Sequence, residues 1–243
     1  MKHIEFVGPP GSGKSTIHKN VTRQEQYYGG TATDAYRRQF AEQIGGIPAK
    51  VLTTLPDPFQ SRFEGAVLEH RFRHHAASEF MARYPEFVKL VGDAIEAAEH
   101  DSTTLSKRML QMMGRYQLGD NTVRDHELLC IDEGITHRAV GFLQRGAEFD
   151  IDEYLYSGPT PSALVYVDAP VNICLNRQQE RGSIVAGKPW HDSSEACQRT
   201  YHEFFEKVVN RQRSRTTVIK IQNTSSIDNA VSSVVSEIDD FSE

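Results

Sequence analysis

The sequence has 243 residues, of which 38% are hydrophobic and 25% are charged, and its formal net charge is −6. A chain of this length and composition can bury a sizeable core, so we expect one ordered domain spanning residues 1–243. This composition excludes a disordered protein. No run of 18 apolar residues is present, which excludes a transmembrane helix, and we expect no membrane partner. The acidic net charge disfavours a protein that coats nucleic acid.

The first motif is GPPGSGKST, residues 8–16, which matches the pattern G-x-x-x-x-G-K-[ST]. It follows a β-prone run, His3–Val7, and precedes a predicted helix, which is the context of a phosphate-binding loop. Glycines let the backbone approach a ligand closely, and inward N–H groups with the positive helix end form an anion cradle. The predicted cofactor-binding residues are Gly8, Gly11, Ser12, Gly13, Lys14, Ser15 and Thr16. Lys14 is expected on the outer phosphates and Ser15 on Mg²⁺.

Residues 44–125 carry several helical patterns and no strong strand signal. This span is too long for an ordinary connection, so we predict a helical insertion over one edge of the site. It is either scaffold alone or scaffold that also contacts a substrate, because segments above the carboxyl edge of a sheet shape specificity. Its basic stripe EHRFRHH makes Arg71 a candidate for attracting an anionic acceptor.

The second motif, LLCIDEG, places Asp132 and Glu133 directly after a short apolar run. A carboxylate at the end of a strand beside a phosphate-binding loop commonly handles the metal. We expect Asp132 to hold Mg²⁺ through water and Glu133 to take a proton or orient the acceptor, although the residues do not decide between these two roles. The alternative is an acidic pair that only caps the next helix. Arg138 is either a contact for an acceptor phosphate or a surface charge.

The third motif follows a predicted strand, 163–168, and a predicted helix that begins near Pro170. Arg177 and Arg181 are four residues apart, so they share one face of this helix. Residues 182–192 then form a Gly- and Pro-containing basic segment, which we predict to be a lid that excludes water and stabilises charge on a transferred group. The alternative is a solvated arginine face followed by an ordinary loop.

Four β-prone runs, 3–7, 128–132, 163–168 and 217–221, alternate with helical patterns, which predicts an α/β fold with a parallel sheet. The order of the motifs, with a terminal TVIKIQNTSSIDNAV, resembles the thymidylate kinase and deoxynucleoside kinase group of P-loop kinases. The resemblance implies a three-layer P-loop NTPase fold with about five parallel strands, ATP with Mg²⁺ as the donor, and an arginine-bearing lid.

The resemblance also implies roles for single residues. Arg177 and Arg181 would reach the phosphates or the adenine from the stem of the lid, and Gln222 and Asn223 would lie near the adenine. The segment GGTATDAYRR looks like the acceptor-site segment of that group. Its candidate substrate-binding residues are Asp34, Arg37 and Arg38.

This chain departs from the group at the motif that follows the predicted strand 128–132. Thymidylate kinases carry Asp-Arg there and deoxynucleoside kinases carry Glu-Arg-Ser, whereas this chain has Asp132-Glu133-Gly134. The arginine that would touch the acceptor is therefore missing from its usual place, and the identity of the acceptor stays open.

The sequence therefore predicts a small-molecule kinase with a nucleoside, a nucleotide or a similar metabolite as its acceptor. Its expected catalytic residues are Lys14, Asp132, Glu133, Arg177 and Arg181. The alternative is a regulatory P-loop ATPase that acts as a switch, and a kinase for nucleic-acid ends is disfavoured by the net charge. Three scattered cysteines and a start that leads straight into a strand indicate a cytoplasmic protein, for which a homodimer is compatible.

Overall fold

The computed structural model describes residues 3–29, 35, 38, 69–182, 193–224 and 226–242. Its strands form one sheet in the order β2-β3-β1-β4-β5, and every neighbouring pair is parallel. This confirms the predicted α/β fold with a five-stranded parallel sheet. The strands are β1 (His3–Val7), β2 (Tyr27–Tyr28), β3 (Leu128–Asp132), β4 (Ala163–Asp168) and β5 (Thr217–Gln222).

Helices cover both faces of the sheet, because successive side chains of each buried strand point to opposite sides. The helices are α1 (Lys14–Val21), α2 (Glu69–Arg83), α3 (Pro85–Glu96), α4 (Ser102–Thr122), α5 (Ile135–Leu143), α6 (Ile151–Ser157), α7 (Val171–Glu180), α8 (Ser194–Gln212) and α9 (Ile227–Ser242). In β4, Val165 belongs to a core cluster with residues of α1 and α9, while Tyr166 belongs to a second cluster with residues of α2–α6 and α8. No helix in the described ranges has the length and apolarity needed to cross a membrane.

The four predicted strands are present, and the last one extends one residue further, to Gln222. β2 was not predicted, because two residues are too few to show a hydrophobic period. α2, α3 and α4 lie within 44–125, and their status as an insertion stays a prediction. Several predicted features lie outside the described residues. They are Asp34, Arg37, the side chain of Arg71, the first part of the insertion (44–68) and the lid from 183 to 192.

A buried carboxylate joins the central strand to the helix that follows the acidic motif. Glu5 of β1 is 0% exposed, and its two oxygens accept hydrogen bonds from the amides of Ile135 and Thr136, each 3.0 Å long. These amides open α5, so the carboxylate both caps the helix and meets its positive end. A Cβ atom at Gly134 would lie only 2.5 Å from the Glu5 carboxyl carbon. A side chain at position 134 would therefore push the Glu5 carboxylate out of its place against these amides.

We expect Gly134→Ala to lower the free energy of unfolding by about 1–3 kcal/mol, because the added methyl group overlaps the Glu5 carboxylate. The matched control is Gly141→Ala in α5, the helix that follows Gly134, where a Cβ would meet no atom within 4 Å. This control should raise the free energy of unfolding by about 0.4–1 kcal/mol. Urea unfolding followed by circular dichroism measures both. Equal stability of the two variants would contradict the close approach of Glu5.

Candidate active site

The phosphate-binding loop adopts a backbone that requires glycine at two positions. Gly11 and Gly13 have φ values of 84° and 90°, in the left-handed region. A Cβ at Gly11 would lie 2.3 Å from the Cys174 carbonyl oxygen, and one at Gly13 would lie 2.3 Å from the Asn223 amide nitrogen. Gly13 also precedes α1 without any side-chain cap. The opening amides of α1 are therefore not capped by a side chain, which fits the binding of an anionic group.

One side chain from the segment after β5 and one from α7 hold this loop in place. Asn223, which follows β5, donates to the Ser12 carbonyl oxygen at 2.7 Å. Arg177 of α7 donates to the same oxygen at 3.2 Å and to the Asn223 carbonyl oxygen at 3.2 Å. The predicted residues Arg177 and Asn223 thus lie against the loop, and their direct contacts are with its backbone.

Two glutamines fasten the other side of the loop. Gln178 of α7 and Gln198 of α8 are 0% and 1% exposed, and both donate to the Pro10 carbonyl oxygen, at 3.1 and 3.0 Å. Gln178 also donates to the side-chain oxygen of Gln198 at 3.0 Å. The loop is therefore tied to the two helices between which residues 181–193 run.

The acidic motif lies directly beside the loop lysine. Phe6 of β1 pairs with Asp132 of β3, which brings the carboxyl ends of these strands together. Lys14 forms an ion pair with Asp132, and its ammonium nitrogen is 3.8 Å from a carboxylate oxygen of Glu133. Lys14 is only 6% exposed. Burial raises the pKa of Asp132, but the charge of Lys14, the charge of His18 and the hydrogen bond from Lys14 together outweigh burial and hold this pKa below its usual value.

Glu133 is held in an unusual backbone conformation. Its φ of 59° is left-handed, which costs a residue with a Cβ about 1 kcal/mol or more. Its amide donates to the Phe6 carbonyl oxygen at 3.4 Å, and its carboxylate accepts from Arg138 at 3.1 Å. Arg138 is only 12% exposed and is paired with Glu133, while its contact with an acceptor phosphate stays a prediction.

A neutral imidazole completes this side of the site. His137 lies one turn after Glu133, with a ring nitrogen 3.9 Å from its carboxylate. Burial lowers the pKa of His137 well below its usual value, and the charges of Lys14 and Arg138 act in the same direction. The imidazole is therefore uncharged at neutral pH.

Other predicted residues are not brought to this cluster. Arg38 donates to the carboxylate of Glu127 at 2.6 and 2.8 Å, and Glu127 precedes β3, so this pair is at the amino edge of the sheet, opposite the loop. Gln222 donates to the side chain of Asp168 at 3.0 Å. Arg181 is exposed and donates to the Arg177 carbonyl oxygen at 3.3 Å.

The structure adds residues that the sequence analysis missed. Glu5 had a visible signal, since it is the one carboxylate in the otherwise apolar and aromatic run HIEFV. Gln178 and Gln198 had none, because amides in amphipathic helices usually face solvent. Arg108 and Arg115 of α4 also act on the site, since both lower the pKa of Glu133 after the larger effects of burial, Lys14 and Arg138.

We expect Lys14→Met to raise the pKa of Asp132, because burial then acts without the opposing charge. A buried carboxylate without its partner should lower the free energy of unfolding at pH 7 by about 1–3 kcal/mol. In the unchanged protein the folded pKa of Asp132 lies below its unfolded value of about 3.9, so its contribution to stability is present above that pH and is lost as the pH falls through the folded pKa. The deficit of the variant should therefore shrink in acid.

Carboxyl ¹³C NMR titration and urea unfolding across pH measure these effects. Lys19→Met, an exposed lysine in the same helix, is the matched control and should change neither quantity. An unchanged Asp132 titration in Lys14→Met would contradict the ion pair.

No protein-family profile matches the chain. No curated protein matches it either. Among solved structures, a deoxyadenosine kinase from M. mycoides with bound dCTP is similar to it, with 12% identity, a TM-score of 0.49 and coverage of 99% of this chain and 100% of the kinase. The same kinase with bound dATP has 12% identity, a TM-score of 0.48 and coverage of 98% and 100%. These neighbours belong to the group that the sequence resembles, and the function of this chain has to be argued from its own residues.

Proposed function

We propose that this protein is a phosphotransferase that moves the γ-phosphoryl group of ATP to a small molecule, which is a nucleoside, a nucleotide or a similar metabolite. The observation that carries this proposal is the meeting of Lys14, from the phosphate-binding loop, with Asp132 and Glu133, from the neighbouring strand. Phosphoryl transfer requires a cation for the phosphates, a carboxylate for the metal and a carboxylate for the acceptor, all in one place.

The phosphate-binding loop is the proposed binding site of the phosphoryl donor. Its backbone amides would bind the phosphates of ATP, and Lys14 would exchange its Asp132 partner for the outer phosphates. Ser15 and Asp132 are oxygen donors of the kind that Mg²⁺ prefers, and they would hold this ion. When bound, Mg²⁺ would neutralise charge that develops on the phosphates.

Glu133 is the residue proposed to orient the acceptor. Its carboxylate is partly exposed, and its pKa is lowered because Lys14, Arg138 and other cations outweigh burial. An ionised carboxylate of this kind accepts a hydrogen bond from an acceptor hydroxyl and aims its oxygen at the phosphorus. A lowered pKa makes Glu133 a weak base, so its main contribution is orientation, and it takes the proton late in the transfer.

The arginines of the lid stem divide their roles. Arg177 is occupied by the loop backbone, so it keeps the phosphate cradle in shape. Arg181 is exposed at the start of the predicted lid, 182–192, and it is the candidate for stabilising charge on the transferred group.

The proposal is tested by measuring ATP turnover with Mg²⁺ and a panel of nucleosides, nucleotides and sugars, with products identified by mass spectrometry. A phosphorylated metabolite formed together with ADP supports the kinase. Slow hydrolysis that responds to no metabolite would instead support a regulatory ATPase.

We expect Asp132→Asn to raise the Mg²⁺ concentration needed for half-maximal activity, because the amide keeps the shape but loses the charge that attracts the cation. We expect Glu133→Gln to lower kcat by about a hundredfold or more with little change in the Mg²⁺ requirement. Both are read from Mg²⁺ titrations of kcat with a saturating acceptor.

The exposed Glu148→Gln is the control and should behave as the unchanged protein. If Asp132→Asn and Glu133→Gln both kept unchanged rates and Mg²⁺ curves, the acidic pair would be only structural.

A further inference from the structure

Two arginines on α4 extend the site beyond the residues used for the donor. Arg108 and Arg115 are seven residues apart, so they lie on the same face of this helix, about 10 Å apart along its axis. They flank Met112, which is 3% exposed and belongs to the core. α4 packs against both β3 and α5, which are the elements before and after the acidic motif.

Neither arginine has an acidic partner in the described ranges. No hydrogen bond or ion pair joins Arg108 or Arg115 to any residue that the structure describes, whereas Arg83 and Arg138 each bind a carboxylate. Arg108 is exposed and Arg115 is half-buried, so both guanidinium groups can be reached by a ligand. A guanidinium group presents a planar set of donors that matches a phosphate.

Their charge acts on the acidic motif. Burial raises the pKa of Glu133, and four cationic side chains overcome this effect. These are Lys14, Arg138, Arg108 and Arg115. Arg115 also contributes, after burial, to the lowered pKa of His18 in α1. Both arginines are therefore close enough to the carboxyl end of β3 to influence groups there.

In the part of the chain that the structure describes, positive charges outnumber the negative charges available to pair with them at the carboxyl end of β3. Lys14 and Arg138 are already paired, with Asp132 and Glu133, and the Glu5 carboxylate faces the amides of α5. The two arginines of α4 add positive charge without a counterpart. In addition, the Nε atom of Arg138 is buried and has no partner within the described residues. An anionic ligand would supply the missing partner.

From these observations we infer that Arg108 and Arg115 form an anion subsite that binds a phosphate already present on the acceptor. The acceptor is then a phosphomonoester with a free hydroxyl for Glu133, and not a neutral nucleoside. A phosphomonoester carries a charge of about −1.5 to −2 at neutral pH, which matches two guanidinium groups. The arginine that is missing from the motif after β3 is then replaced by arginines of another element, α4. The identification as an acceptor subsite rests on the proposed kinase function, although the anion binding itself does not.

The test measures binding with the donor site filled by Mg²⁺ and a non-hydrolysable ATP analogue, so that the loop cannot take the probe. The probes are inorganic phosphate, followed by ³¹P NMR line broadening, and thymidine 5′-monophosphate against thymidine, followed by calorimetry. We expect phosphate to bind, and the monophosphate to bind at least tenfold more tightly than thymidine.

Arg108→Gln and Arg115→Gln should each weaken binding of the phosphorylated probes by about ten- to a hundredfold and leave thymidine unaffected. Lys107→Gln, which removes an exposed charge next to Arg108 on a different face, is the matched control and should change neither. Arg115→Lys should restore part of the affinity, and circular dichroism shows whether each variant is folded.

Phosphate binding that is absent, or that is the same in both arginine variants as in Lys107→Gln, would overturn the inference. A protein that phosphorylates a neutral metabolite without such binding would keep the kinase function and lose the subsite. Binding that depends on both arginines, with no transfer from ATP to any metabolite, would keep the subsite and remove the kinase.

Discussion

The bond between the buried Glu5 carboxylate and the first amides of α5 is the constraint on which the geometry of the site depends. It leaves no room for a side chain at Gly134, and it fixes where the chain must turn after β3. The turn is completed by Glu133 in a left-handed conformation, which places its carboxylate on the side of Lys14 and Arg138. A single charged residue inside the central strand thus determines how the acidic motif is presented.

The charges at the edge of the sheet are arranged as pairs that can change partners. Lys14 is buried together with Asp132, so neither group bears an unpaired charge before a ligand arrives. Phosphates and a divalent cation would separate the pair and offer each member a new partner of opposite charge. In the proposed reaction, the free energy of ATP and Mg²⁺ binding would therefore be smaller than the new contacts alone suggest, because the Lys14–Asp132 ion pair must be broken.

Four of the five strands in the described sheet were predictable from the sequence, because they are short apolar runs bounded by polar residues or by Gly and Pro. The meeting of Lys14 with Asp132 was also predictable, since the carboxyl ends of neighbouring parallel strands lie at one edge. The partner of Arg38 was not, because Glu127 lies 89 residues further along the chain and no local pattern joins them. The effect of the α4 arginines on the pKa of Glu133 was not predictable either, because it depends on the packing of α4 against β3 and α5, which no local sequence pattern shows.

The shared hydrogen bonds of Gln178 and Gln198 to Pro10 have a consequence for how the chain tolerates change. These hydrogen bonds hold the end of α7 and the beginning of α8 together, so that the chain between the two helices forms a closed loop. Once the ends are joined, the entropy cost of closing the chain between them grows only slowly with its length. The position of the phosphate-binding loop therefore depends on these side chains and not on the length of the connection, so stability and the proposed lid role of 182–192 can be altered independently.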